Sequence, residues 1–446
     1  MNNRKRSEAI DYVLKTAKEK NVKFIWLWFS DILGFLKGFS ITVEELPEAL
    51  EDGMGFDGSS IEGFVRIDES DMIALPDPDT FQLVPWRPQE PAVARMFCDI
   101  LRPGGEPFEG DTRLVLKKNL ERAAKMGYTF YTGPELEYFY FKSPDNPEPL
   151  DFGGYFEMTP QDMVHNLRRE TILSLEAMGI GVEYTHHEAA PSQHEIDMRY
   201  TDALNMADSV MTYRMVVKQV AQKYGLYATF MPKPLAGQNG SGMHVHQSLF
   251  AGDRNAFFDP ADEYHLSKIA KSYLAGLLKY APEITLICNQ WVNSYKRIIP
   301  GYEAPVYVTW AKRNRADLVR IPEYKPGKEK STRIELRSPD PACNPYLAFS
   351  VMLAAGLKGI EDHLEPPPPV EENVFEMTEA ERRSRGINTL PANLWEAIEI
   401  TSKSDLVRQA LGEHVFNAFI GNKTIEWDNY RSQVTDWELK RYLPIL

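Results

Sequence analysis

The spacing of apolar positions changes character near residue 110. Before that point, KFIWLWF (23–29) joins aromatic and β-branched residues into a run that predicts a buried strand. Short strand-like and turn-like pieces follow to Ile100, with no long amphipathic helix between Pro47 and Ile100. RPGGEPFEGD (102–111) brings Pro and Gly in quick succession and marks a boundary. Beyond it, Leu114, Leu116, Leu120, Ala123 and Ala124 predict a helix over Thr112–Met126 that stops at Gly127. Thr159-Pro160 reads as a helix start, an N-cap followed by Pro in the first turn, running to Met178 and ending at Gly179. Asp202–Tyr224, closed by Gly225, and Lys268–Tyr280 are further helices, and TGPELEYFYF (132–141) is a strand. HLEPPPPVEEN (363–373) must be a loop, and the tail from Pro391 to Tyr442 reads mainly helical. The pattern predicts an α+β chain: a small β-rich N-terminal domain over 20–104 and a large domain of mixed strands and helices over 111–446.

Composition narrows the function without choosing it. Of 446 residues, 43% are apolar and 26% charged, the balance of a globular protein and not of a disordered one. Fifty basic against 64 acidic side chains give a net charge of −14, which argues against non-specific nucleic-acid binding. Local basic clusters can still bind a small anion. The three cysteines, Cys98, Cys288 and Cys343, form no CxxC pair and are expected to be reduced and buried. No run reaches the ~18 apolar residues of a membrane span, and the basic N-terminus lacks an apolar signal core. A cytoplasmic location is expected.

The chemistry lies in charged residues placed on strands. In a strand, residues i and i+2 share a side. Glu135 and Glu137 in PELEYF therefore crowd one face, where they repel unless a cation neutralises them. In THHEAAPSQHEID (185–197), a Pro-Ser turn at 191–192 can bring Glu188 and Glu195 together, while the adjacent His186 and His187 must diverge. In NGSGMHVHQS (239–248), His244 and His246 share a face and the preceding glycines allow close backbone approach. In STRIELRSPDP (331–341), Arg333, Glu335 and Arg337 lie opposite Ile334 and Leu336. Nearby segments add Arg297, Arg313, Arg315 and Arg320. Taken singly, each motif could be an exposed edge, a polar loop or an ion-pair ladder. Together they give hard oxygen ligands with one or two imidazoles, which suits Mg²⁺ or Mn²⁺ better than structural zinc. Arginines beside such ions suit phosphate and carboxylate oxygens. The residues lead to a metal-dependent enzyme handling phosphate and a carboxylate, and no further. Neither a Walker loop nor a GxGxxG fingerprint occurs.

Six stretches carry a resemblance: FDGSSIEGF (56–64), GPELEYF (133–139), HHEAAPSQHEID (186–197), NGSGMHVHQSLF (239–250), VNSYKRIIPGYEAP (292–305) and STRIELRSPDPACNPYLA (331–348). In these motifs, in their order and over nearly its whole length, the chain resembles type I glutamine synthetase. The resemblance implies a β-grasp N-terminal domain and a catalytic domain on a curved antiparallel sheet. It also implies a homododecamer of two hexameric rings, with active sites shared between neighbouring subunits.

By the same resemblance, Glu137, Glu188 and Glu195 hold one Mg²⁺ or Mn²⁺, and Glu135, His244 and Glu335 hold the other. ATP is met by Glu183, His246, Ser248, Arg315, Arg320, Lys330, Ser331 and Thr332. Glutamate is met by Asn239, Gly240, Arg297, Glu303, Arg315 and Arg337. Asp57 of a neighbouring subunit takes the ammonium proton, and Glu303 sits on a mobile flap. The implied reaction forms γ-glutamyl phosphate, which ammonia then attacks to give glutamine. Asp57 and Glu303 favour ammonium over a larger amine, and a complete metal-ligand set speaks against a silent sensor. Arg66, in GFVRI, resembles the branch inhibited directly by glutamine. Phe375 stands where the covalently regulated branch has its adenylylated tyrosine. Two positions depart from the family's usual pattern: Ser192 replaces a common Gly and Ala316 a common Ser.

Overall fold

The computed structural model describes residues 3–59, 61, 63, 71–87, 90–158, 164–302, 304–312, 314 and 317–446. The expected helix start at Thr159-Pro160 lies outside the described residues, as do Arg66, Glu303, Arg313, Arg315 and Ala316.

The chain opens with helix α1 (Asn3–Glu19), which the sequence reading did not foresee. Six strands follow: β1 (Val22–Ser30), β2 (Leu36–Thr42), β3 (Met54–Asp57), β4 (Asp71–Pro76), β5 (Gln82–Leu83) and β6 (Ala92–Leu101), with α2 (Leu46–Asp52) between β2 and β3. They form one sheet in the order β2-β1-β6-β4-β3, with β5 also on β6. The β1–β6 pair is parallel and the other pairs are antiparallel. The unbroken apolar run of β1 has a plain cause. Ile25, Leu27 and Phe29 face the core of this sheet, while Trp26 and Trp28 on the other face pack into the core of the larger domain.

The second part begins with α3 (Thr112–Lys125), capped by the Asp111 carboxylate, which accepts from Arg113 N at 2.9 Å. Its sheet comprises β7 (Thr129–Phe141), β8 (Val182–His187), β9 (Gln193–Met198), β10 (Thr201–Asp202), β11 (Tyr227–Thr229), β12 (Met243–Ala251), β13 (Arg254–Asn255), β14 (Trp310–Ala311), β15 (Val319–Arg320) and β16 (Ile334–Leu336). The main path runs β14-β15-β16-β12-β7-β9-β8 and is antiparallel except for the β14–β15 pair. Against it lie α4 (His165–Ala177), α5 (Ala203–Lys223), α6 (Lys268–Cys288), the short α7 (Ser294–Arg297) and α8 (Pro345–Glu361). Residues 363–373 form a loop, and helices Leu394–Thr401, Asp405–Leu411, Glu413–Arg431 and Asp436–Tyr442 fill the tail.

Two helices differ from expectation. The α6 helix continues past Pro282 to Cys288 instead of ending at Tyr280, because Ala281, Ile284, Leu286 and Ile287 are all buried and the packing outweighs the lost backbone bond. The α8 helix was not foreseen, since it is buried all round and shows no periodicity. Its contact with α6 is nearly backbone to backbone: a Cβ on Gly276 would meet Ala355 O at 2.2 Å, and one on Gly359 would meet Ser272 O at 2.1 Å. The three cysteines are free and buried. Among the described residues no helix is long and apolar enough to cross a membrane.

Candidate active site

Strand register lines the charged side chains up on one face of the second sheet. Glu135 of β7 stands opposite His244 of β12, and Glu137 opposite Glu195 of β9. His246 stands opposite Glu335 of β16, Glu335 opposite Arg320 of β15, and Glu195 opposite His186 of β8. Direct cross-strand partners share a face. The residues between them, Leu136, Val245, Ile196 and Leu336, point the other way into the core. The alternation read from PELEYF, MHVHQ and RIELR is thus one continuous polar surface.

Two triplets on this face bring their ligand atoms within 4.8 Å of one another: Glu135, His246 and Glu335, and His186, Glu188 and Glu195. His246 Nε2 is 2.7 Å from Glu135 Oε1, and His244 Nδ1 is 3.3 Å from Glu135 Oε2 and 3.6 Å from Glu335 Oε1. His186 reaches Glu188 at 3.5 Å and Glu195 at 3.4 Å. Glu137 Oε2 accepts from Gly242 N and from Gln193 Nε2, each at 2.9 Å.

The electrostatics call for a cation. Burial, with Asp197, Glu137 and Glu135 nearby, pushes the Glu195 carboxyl well above its ordinary range. Burial also raises Glu137, and it lifts Asp197 to about 6. Burial would raise Glu135 too, but His246 and His244 hold it well below the usual range. Glu335 is lowered despite its burial, by Arg337 and the two histidines. Buried carboxylates set against each other with imidazoles alongside are the donor set of a hard divalent ion.

A cavity of about 190 Å³ opens over this face. Asn239, Gly240, Arg297, Arg320 and Arg337 line it together with Glu135, Glu137, Glu188, Glu195, His244 and Glu335. Arg297, on α7, donates to Ser338 O at 2.7 Å and Arg337 O at 3.1 Å, which fixes its guanidinium beneath the cavity. A Cβ on Gly240 would sit 2.3 Å from Pro232 O, so only glycine lets this backbone pass. Arg337 donates to Glu335 Oε1 at 3.2 Å, and Arg320 to Glu335 Oε2 at 2.5 Å.

A second cavity of about 170 Å³ adjoins the first. Glu183, His246, Ser248, Lys330, Ser331 and Thr332 line it, all residues expected at a nucleotide. Glu135 and Tyr184 line both cavities. Arg320, expected at the nucleotide, lies on Glu335 in the first cavity, and His246, expected there too, also belongs to the Glu135–Glu335 triplet. Asp57, at the end of β3, is exposed and is not among the residues lining either cavity. The sequence reading missed Asp197, Gln193, Tyr184 and His186. Asp197 was within reach, since it follows Glu195 at i+2 as Glu137 follows Glu135.

Family models match both parts of the chain: "Glutamine synthetase, beta-Grasp domain" over 21–103 and "Glutamine synthetase, catalytic domain" over 109–442. The chain belongs to the glutamine synthetase family. A glutamine synthetase from Mycolicibacterium smegmatis is 52% identical over 441 residues, covering 98% of this chain and 99% of that one. One from Methanosarcina mazei is 51% identical over 438 residues, covering 97% of each. A solved GmaS/ADP complex superposes with a TM-score of 0.88 at 32% identity, covering 97% of this chain and 99% of the other. As in this family, the chain is an ATP-dependent ligase that makes glutamine, and the fold is the β-grasp and catalytic-sheet combination that the motifs implied. Glutamine synthetases depend on divalent metal and ATP and are homo-oligomeric.

Proposed function

We propose that glutamine synthesis proceeds across the wall between the two cavities. Glu137, Glu188 and Glu195 hold one Mg²⁺ or Mn²⁺, and Glu135, His244 and Glu335 hold a second, with His246 and His186 beside them. The bound ions would offset the charge of the transferring phosphoryl group. Glu183, His246, Ser248 and the Lys330–Thr332 stretch receive ATP in the second cavity. Asn239, Gly240, Arg297 and Arg337 receive glutamate in the first, with Glu303 and Arg315. Arg320, on Glu335, faces the transferred group. The observation that carries this reading is the shared wall: Glu135 and Tyr184 border both cavities, so donor and acceptor meet without either crossing the site.

The arginines hold the γ-carboxylate for in-line attack and stabilise the charge that develops on the phosphoryl oxygens. Asp57 of a neighbouring subunit then takes a proton from ammonium, freeing ammonia to attack γ-glutamyl phosphate. Glu303 closes over the intermediate and keeps water out. A dodecamer of two hexamers in the cytoplasm, with each site shared between neighbouring subunits, is the assembly we propose. Arg66 tunes inhibition by glutamine, so that Arg66→Ala raises the concentration needed. The test of the main reading is ATP-dependent product formation by the purified protein, with ammonium compared against methylamine and polyamines. Preference for a larger amine would overturn the assignment of Asp57 and Glu303 to ammonium.

A further inference from the structure

On the reverse of the metal-facing surface lies a second buried cluster. His187 and His194 are cross-strand partners that point away from the cavities, their rings 4.7 Å apart. Asp151 sits between them, with Oδ1 2.6 Å from His187 Nε2 and Oδ2 3.6 Å from His194 Nε2. Nδ1 of His187 is 2.6 Å from the backbone oxygen of Glu188. Both nitrogens of His187 thus face oxygen acceptors. His194 Nδ1 lies 2.6 Å from Arg168 Nη1, which can only donate. These three groups are close enough to hold an ion, but the hydrogen bonds that Asp151 makes, to His187, Ser192 and Gly153, describe a pin.

The pin grips the hairpin that carries Glu188 and Glu195. Asp151 Oδ1 also accepts from Ser192 N at 3.1 Å and Gly153 N at 3.2 Å. Ser192 answers with its hydroxyl, which accepts from Leu150 N at 2.5 Å and Asp151 N at 3.2 Å. Ser192 is buried at φ +59°, a conformation glycine adopts freely. Glycine there could not supply the oxygen that ties the two segments. On the other side, Phe156 N donates to His187 O at 3.0 Å, and the Phe156 ring stacks on His186 at 4.2 Å. Residues 150–156 therefore clasp the 186–192 hairpin from both faces.

We propose that Asp151 is a positioning residue for the reaction. Through His187 and Ser192 it fixes the Ala189–Ser192 turn, which sets how the Glu188 and Glu195 carboxylates meet around one ion. The proposal rests on the reading of those two glutamates as metal ligands. Its effect falls on metal affinity at one of two sites.

The test is Mn²⁺ binding to the purified full-length oligomer, followed by the resonance of free Mn²⁺, together with the Mg²⁺ dependence of glutamine formation. Asp151→Ala is expected to weaken one class of Mn²⁺ sites about 10- to 100-fold, the range seen for groups that orient metal ligands. The Mg²⁺ needed for half-maximal rate should rise in the same ratio, with kcat at saturating Mg²⁺ and the second Mn²⁺ class little changed. Asp151→Asn, which keeps an oxygen for Ser192 N, should restore part of the affinity. Equal weakening of both classes, or lost kcat with an unchanged Mg²⁺ requirement, would overturn the proposal. If Asp151→Ala does not assemble, Asp151→Asn carries the test, and unchanged Mn²⁺ affinity in that variant is equally fatal. Glu188→Gln separates the two readings. If it leaves Mn²⁺ binding intact, the ligand assignment falls and the proposal with it. If it weakens Mn²⁺ binding while Asp151→Ala does not, only the clasp is refuted.

Discussion

Glu137 and Glu195 are direct cross-strand partners, and both carboxylates are buried. Like charges so placed destabilise a sheet. If the pair serves as metal ligands, as proposed, its cost to stability and its role in binding can be separated. Glu195→Gln should raise the thermal midpoint of the protein in EDTA by a few degrees, remove most of the further rise on adding Mg²⁺, and cut glutamine formation by about 100-fold or more. Glu335→Ala should lose activity on a similar scale with the oligomer intact, whereas a purely structural role for this buried ion pair would show as about 3–5 kcal/mol of lost stability. Thermal scans with and without metal, beside activity assays, check both.

Asp57 lies exposed at a strand end, its carboxylate accepting from Ser59 N at 2.9 Å, and away from the cavities of its own chain. Mixing Asp57→Ala with Glu335→Ala subunits should therefore restore activity that neither variant has. Random mixing in equal amounts gives about one intact shared site in four. Activity near zero in rings verified to contain both variants would mean that each site is built from a single chain.

Asp31, in the turn between β1 and β2, is buried, and burial outweighs its bond from Phe35 N and its pairing with Lys37 to raise the carboxyl to about 6. The folded protein thus holds this proton more tightly than the unfolded chain. The contribution to stability is fully present below the unfolded value of 3.8 and is lost as pH rises through about 6. Asp31→Asn keeps an oxygen for Phe35 N and removes the charge. Relative to the parent it should gain about 1–3 kcal/mol at pH 8 and little near pH 4. Denaturant titrations of both proteins at the two pH values measure the difference.

Phe375 packs edge-on against Tyr307, with ring centroids 5.6 Å apart. It offers no hydroxyl to an adenylyl donor. Incubation with a bacterial adenylyltransferase and ATP should leave the intact mass unchanged. One added AMP per subunit, mapped to 373–383, would show otherwise.

Most of the polar surface beneath the cavities could be read from the sequence because period-2 alternation is a local signal. Glu135 and Glu137, His244 and His246, and Glu335 between its arginines each declare a face within a few residues. What could not be read was pairing. That His246 meets Glu335, or that Arg320 lies on Glu335, is fixed by ladders between strands some 15 to 90 residues apart. Helix α8 escaped notice for the opposite reason: its residues are buried on every side, so no polar stripe gives it a period. Pro282 misled because a local rule yielded to packing around α6. The role of Ser192 needed both its φ and its partner Asp151, forty-one positions earlier.

The wall that Glu135 and Tyr184 form between the cavities is a single layer of side chains. At that thickness the two chambers are electrically one compartment, and a guest in either alters the field in the other. Whatever one guest does to the affinity of the other, in either direction, thermodynamic reciprocity makes the two effects equal.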